Sequence, residues 1–419
     1  MGRDGPLTVV IDARLVSGRH GGVEQVIIGL AHGLSSLAGD ERYLFICYEG
    51  QTGWLDPYVG GPCRIVNAAL PFKKRLASRL PALAALRRRA KSSLGGDAGP
   101  PPVPASDGTA ERLRADVVHF PREGFLTSIP SIYHPHDLQH VHLPEFFSEA
   151  ERRQRDLWYR SFADQAAVVS VTSEWGKRDL VRHLGVPAEK IAVVPLAPAL
   201  AAYGQPLTET QRDRVLAAKG IVRPYALFPA QTWPHKNHVR LVHAIRRLND
   251  RGLDVDLVCT GTLNDSFSSI QEAIAESNLQ DHVRFLGYVT VGELQALYAG
   301  ARCLVMPTLF EAAGGFGPIA EAFLAGVPVA CSNVTSLPEQ VGDAALLFDP
   351  LDEAAIASAL GTLWSDGDLR ATLVQRGRAN VSRFSWEHVA RTFRAHYRRL
   401  AGRRLGAEDA ALLDRKAEF

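Results

Sequence analysis

The residues most able to do chemistry lie in four short segments, each following an apolar run. In FEAAGGFGPIAEAFLAG (310–326), three glycines and Pro318 stand between Glu311 and Glu321. Pro318 suits the first position of a helix, where its missing N–H costs nothing, and Gly326 suits the stop. The amides of Gly315, Phe316 and Gly317 are then free to meet a phosphate or a sugar. Glu321, one turn into the helix, could accept hydrogen bonds from two neighbouring sugar hydroxyls, as carboxylates do for a ribose. The plainer role for Glu321 is to complement the helix dipole, worth roughly 0.3–1 kcal/mol. In ALFPAQTWPHKN (226–237), Lys236 sits near a helix start, where the dipole disfavours a cation. An anion would resolve the conflict, and a diphosphate is the obvious one.

The third segment is SGRHGGVEQVIIGL (17–30), in which Gly21 and Gly22 precede a helix expected from about Val23. The pair fits either a tight turn or a close approach of phosphate to a helix amino terminus. The fourth, SIYHPHDLQHVHLPEFF (131–147), groups His134, His136, His140 and His142 with Asp137. An H-x-H pair on a strand would turn both rings to one side, so a metal site is conceivable. No thiol or further carboxylate is arranged around it, and hydrogen bonding of His136 and Asp137 to a sugar is the preferred reading.

These segments need a scaffold that brings loops together. Thirteen apolar runs alternate with helical patterns. The first seven cover 7–12, 43–48, 63–68, 115–120, 131–136, 166–173 and 190–198. A second series covers 224–230, 253–261, 282–289, 301–308, 327–333 and 345–350. Continuous rather than alternating apolar runs indicate strands covered on both faces, the mark of parallel α/β layers. The series breaks at 199–221, where polar turn residues surround a short helix. We therefore expect two doubly wound domains, 1–199 and 200–385, facing a central cleft. Ligands in such sheets bind beyond the carboxyl ends of the strands.

Bulk properties agree. A chain of 419 residues suits two domains. It is 46% hydrophobic and 22% charged, with a formal net charge of +2, which argues against a dedicated nucleic-acid binder. Its five cysteines form no CxxC pair and read as buried thiols of a reducing compartment. No run is long enough to span a membrane and no signal peptide opens the chain, so a cytoplasmic location is expected. The segment 71–93 is basic and amphipathic, and is preferred as a solvated helix; its alternative is peripheral contact with an anionic membrane. Residues 95–108, rich in Pro, Gly and Ser, read as a mobile loop. There is no GxGxxG at a strand–helix junction and no GxxxxGK[ST].

Taken together, the motifs resemble glycosyltransferase family 4, the retaining enzymes of the GT-B fold. The resemblance covers nearly the whole chain. It is strongest in FPAQTWPHKN (228–237) and in 306–350, above all SLPEQVGDAALLFDP. FSWEHVARTFRAHYRRL (384–400) matches the closing helix, which the resemblance sends back to the first domain over 386–402. The first domain would then bind the acceptor and the second the nucleotide-sugar donor.

The resemblance further implies roles for individual residues. Glu321 would hold the donor ribose and Glu311 the donor sugar. Lys236 would neutralise the diphosphate, Gly21 and Gly22 would face it, and His136 would lie beside the transferring sugar. Gln231 and Thr232 occupy the donor loop where many members carry an arginine. Nine residues separate Glu311 from Glu321, two more than is usual in the family. No metal and no cofactor are expected beyond the nucleoside-diphosphate sugar and a hydroxyl-bearing acceptor. The implied reaction is hexosyl transfer, mannosyl or glucosyl, with retention. Its rivals are a catalytically silent sugar-nucleotide-binding subunit and a nucleotide-sugar epimerase.

Overall fold

Each of the thirteen apolar runs forms a strand in a computed structural model of the chain, and every strand pairing is parallel. The structure describes residues 5–16, 21–69, 101–200, 207–264, 266–312 and 316–414. The expectations for 71–93, for Gly315 and for the side chain of Phe316 fall outside the described structure.

The first sheet contains β1 (Thr8–Asp12), β2 (Arg42–Tyr48), β3 (Cys63–Ala68), β4 (Val117–Phe120), β5 (Ser131–Tyr133), β6 (Val168–Val171) and β7 (Ile191–Val193). Its order is β3-β2-β1-β4-β5-β6-β7. The second contains β8 (Tyr225–Pro229), β9 (Asp256–Thr260), β10 (Val283–Phe285), β11 (Cys303–Met306), β12 (Val329–Ser332) and β13 (Ala345–Phe348), in the order β10-β9-β8-β11-β12-β13. In both sheets the chain starts in the middle, winds outward, then returns to wind the other way. This leaves a crevice between β1 and β4 in one and between β8 and β11 in the other, where successive loops diverge. The architecture is two Rossmann-like sheets of the GT-B kind.

Burial explains the strand composition. All residues of β1, β4, β5, β11 and β12 are buried, as helices on both faces require. The five cysteines are buried, free thiols. Burial pushes the thiols of Cys63 to about 11 and of Cys303 to about 12, so both stay protonated.

The helix Trp386–Leu400 packs against the first half. Gly29 and Gly33, one turn apart on the helix Gly21–Ser35, make its groove. A Cβ on Gly29 would lie 1.9 Å from the Trp386 ring, and one on Gly33 would lie 2.3 Å from the Trp386 carbonyl oxygen. Trp386 Nε1 donates to the Pro198 carbonyl at 2.8 Å. Farther along, the Tyr397 hydroxyl meets His119 Nδ1 at 2.5 Å, and Arg398 bonds Glu41 through Nε at 2.6 Å. An apolar cluster runs without a break from the second sheet through Trp386, Val389 and Phe393 into the first.

Two local expectations need correction. The described part of the loop 95–108 is tied down, with Ala105 bridged to Leu126 and Trp158 Nε1 donating to the Pro101 carbonyl at 3.1 Å. The helix after β11 begins at Phe316, so Pro318 is its third residue rather than its first. The position remains tolerable, because the first four helical N–H groups have no partner within the helix.

Candidate active site

The loops after β8 and β11 flank the crevice of the second sheet, and two of the sequence candidates, Lys236 and Glu311, meet there. The loop after β8 passes close to the end of β9. Gly261 permits this: its φ is +112°, and a Cβ would lie 2.8 Å from the Gln231 amide nitrogen. Thr232 is buried, and its hydroxyl accepts the Asn264 amide at 2.6 Å. Its side chain braces the loop. Asn237, left-handed at φ +64°, donates through Nδ2 to the Pro307 carbonyl at 2.9 Å and the Pro350 carbonyl at 2.8 Å. Those bonds tie the end of the loop to the ends of β11 and β13.

Held this way, Lys236 forms an ion pair with Glu311. Glu311 is buried, with a Thr308 hydroxyl 3.3 Å from Oε1. Its backbone is clamped as well: the Thr335 and Ser336 hydroxyls donate to its carbonyl at 2.5 and 2.7 Å. The long spacing to Glu321 therefore leaves Glu311 fixed in the crevice beside Lys236.

Glu321 lies on the helix Phe316–Ala325, which ends as anticipated at Gly326, left-handed at φ +72°. The Tyr298 hydroxyl donates to the Pro318 carbonyl at 3.1 Å and also lies against the Glu321 carboxyl. Burial raises the pKa of that carboxyl to about 7, with Tyr298 opposing the shift. A carboxylate so poorly solvated is a strong acceptor for hydroxyl donors.

Gln231 gains a specific orientation. Its Oε1 accepts Trp233 Nε1 at 3.2 Å and faces Asn264 Nδ2 at 3.5 Å. The amide nitrogen is thereby directed across the cleft, where a Cβ on Gly21 would lie 3.8 Å away. Gly21, at φ +40°, opens the helix Gly21–Ser35 two residues earlier than expected. The loop after β8 in the second half thus faces the helix amino terminus of the first.

The four histidines of 131–147 do not converge. His134 Nε2 pairs with His119 Nε2 at 2.7 Å, inside the first half. His136 donates to the Pro121 carbonyl at 2.5 Å, His140 stands edge-on to Tyr159 at 5.4 Å, and His142 binds Asp179 at 2.7 Å. The H-x-H argument fails because β5 ends at Tyr133 and His136 is left-handed at φ +60°. His136 does lie beyond the carboxyl end of β5, and burial lowers its pKa, so it is neutral at physiological pH. The structure instead brings His142, Asp179 and His183 together, with ligand atoms within 4.8 Å of one another. That set could hold a metal; within it His142 is hydrogen-bonded to Asp179, and His183 Nε2 lies 3.5 Å from the same carboxylate oxygen.

Sequence reasoning missed several polar groups at the strand ends of the first half. Arg14, just past β1, binds Asp12 through both Nε (2.8 Å) and Nη2 (2.9 Å) and reaches Asp107 at 2.8 Å. Arg122 pairs with Glu123 at 2.7 Å beyond β4. Their only sequence signal was position at the carboxyl ends of strands. Among the described residues, no helix is long and apolar enough to cross a membrane.

Residues 212–380 match the family Glycosyl transferases group 1, and residues 21–197 match the Glycosyl transferase 4-like domain. The O-antigen chain mannosyltransferase B of Escherichia coli is 32% identical over 261 residues, covering 60% of this chain and 66% of that protein. The MMP alpha-(1->4)-mannosyltransferase of Mycolicibacterium hassiacum is 29% identical, over 59% of each chain. These matches span less than two thirds of the relatives' own length. Among solved structures, a glycosyltransferase from Rickettsia africae superposes with a TM-score of 0.68 at 17% identity, covering 95% of this chain and 99% of that one. HepE of Anabaena, solved with UDP and glucose, gives 0.68 at 18% identity, covering 93% and 99%.

Proposed function

Because the chain belongs to glycosyltransferase family 4, we propose that it transfers a hexosyl group, mannosyl or glucosyl, from a nucleoside-diphosphate sugar to a hydroxyl acceptor, with retention at the anomeric carbon. The observation that carries this reading is that the loop after β8 holds Lys236 in an ion pair with Glu311 in the crevice and also aims Gln231 at the helix amino terminus at Gly21. Relatives named as mannosyltransferases and a fold neighbour solved with UDP and glucose support it.

In this reading the diphosphate competes with Glu311 for the Lys236 ammonium. Gln231 Nε2 and the amides of the helix Gly21–Ser35 add donors from the two sides. Together they carry the charge that develops on the leaving diphosphate, an electrostatic role that needs no metal. Glu321 accepts the ribose hydroxyls, and Glu311 and neutral His136 flank the sugar. The leaving phosphate takes the acceptor's proton, so no side chain is assigned as general base. Closure of the two halves keeps water from the activated sugar.

The test is turnover of a panel of UDP-, GDP- and dTDP-sugars by the purified protein and its Lys236→Ala and Glu321→Ala variants. Transfer by the wild type and its loss in both variants is expected. Wild-type-like rates in both would overturn the site assignment. Isomerisation of the sugar nucleotide without acceptor would instead identify an epimerase, and binding without turnover a silent subunit.

A further inference from the structure

The two halves meet at a second place, built on Glu339. This residue lies on the helix Leu337–Val341 of the second half, and its side chain is 19% exposed. Its carboxylate reaches the amino terminus of the helix Glu174–Leu184 in the first half. Oε1 accepts the Glu174 amide at 2.5 Å and Oε2 accepts the Trp175 amide at 2.9 Å. Two amides that lack partners within their own helix are thus satisfied from the other domain. The negative charge also meets the positive end of the helix dipole. The helix has its own cap, since Ser173 Oγ accepts the Gly176 amide at 3.0 Å. Glu339 is therefore not needed merely to start it.

Further contacts cross beside this one. The Thr172 hydroxyl donates to the Ala312 carbonyl at 3.2 Å. Phe310 packs against Trp175 and His142 of the first half, with ring centroids 5.8 and 5.1 Å apart. Phe310 and Ala312 are the immediate neighbours of Glu311. On the other side, Thr335 and Ser336, which hold the Glu311 carbonyl, lead directly into the helix that carries Glu339. Thr335 is left-handed at φ +54°, a conformation a β-branched residue keeps only under constraint.

We propose that Glu339 is an interdomain positioning residue. By capping the helix Glu174–Leu184, it fixes the first half against the segment that presents Glu311, and so sets how the acceptor side meets the donor sugar. The kinetic part of this inference rests on the sugar-transfer reading; the structural part does not.

The experiment uses the full chain and the variants Glu339→Ala and Glu339→Gln. Calorimetric titration with UDP and GDP measures the donor crevice alone, turnover of GDP-mannose and UDP-glucose measures the assembled site, and small-angle scattering measures the spread of the two halves. Both variants are expected to bind the nucleotide within about threefold of wild type. Their kcat should fall about tenfold to hundredfold, as a displacement near 1 Å can cause. Their radius of gyration should rise, more for alanine than for glutamine, which keeps one acceptor oxygen. A wild-type kcat with an unchanged radius in Glu339→Ala would overturn the proposal. So would equal losses of nucleotide binding and turnover accompanied by a fall in melting temperature in both variants, the mark of a purely structural residue. If the wild type turns over neither sugar nucleotide, the sugar-transfer reading fails for those donors, and the scattering still decides the interdomain role.

Discussion

The crevice of the second sheet and the strand ends of the first sheet are built on the same topology but use their polar residues differently. In the second, charged groups separated by scores of residues face one another across the switch point, as Lys236 and Glu311 do. In the first, polar groups at the strand ends are largely paired with one another or with the returning helix. Arg14 is closed between Asp12 and Asp107, and His119 links His134 to Tyr397. One region pairs opposite charges between the loops at its switch point; the other uses its polar groups to hold itself and the returning helix. In the sugar-transfer reading proposed above, the shared donor chemistry falls to the second half and acceptor recognition to the first.

The strongest way to break this contrast is Lys236→Ala, expected to lower kcat by about 10²–10³. Glu311→Ala and the double variant complete a cycle. Because the two side chains touch, the double loss should be smaller than the sum of the two, whereas additive losses would show that they act independently. Next in size is Gly29→Ala. The added methyl group has no room beside Trp386, so thermal unfolding should report a loss of about 1–3 kcal/mol. Gly22→Ala, with nothing within 4 Å of its Cβ, serves as the control that leaves stability nearly unchanged.

The pH dependence of nucleotide binding sharpens the contrast. The Glu321 carboxyl has its pKa raised to about 7 by burial. Ribose hydroxyls favour its charged form, so binding below pH 7 must expel a proton. Affinity for UDP or GDP should be flat above about pH 7 and fall toward about tenfold per pH unit below it, one proton being displaced. Glu321→Gln should bind more weakly with a flat profile. The stability of the free protein runs the other way. A carboxyl raised above its unfolded value is easier to ionise in the unfolded chain, so its contribution is lost as pH rises from about 5 to 8. The smallest effect is Tyr397→Phe, which removes the hydroxyl bonded to His119. Unfolding should report about 1–2 kcal/mol, with turnover unchanged.

Much of this was legible in the sequence. Strands buried on both faces announce themselves as continuous apolar runs, and all thirteen were readable. Gly326 marked its helix end because its φ of +72° suits glycine. Other features had no such local signal. Thr232 shares a loop with Gln231, yet one side chain is buried on Asn264 and the other faces Gly21. Spacing cannot tell them apart, since the divergence arises from the neighbouring strand end at Gly261. The metal alternative for the histidines, the less favoured of the two readings, falls for a related reason: the H-x-H rule assumes a strand, and β5 stops before His134.

By itself the sequence determined the two sheets, their parallel sense, the loops that carry Lys236 and Glu311, and the helix that carries Glu321. Those are consequences of local hydrophobic pattern, turn chemistry and helix ends, which act over a few residues. Only the tertiary structure decided that Lys236 meets Glu311, that Gln231 aims at Gly21, and that Glu339 caps a helix of the other half. Partners 75 and 165 residues apart are joined by the placement of whole sheets, and no local propensity encodes that placement.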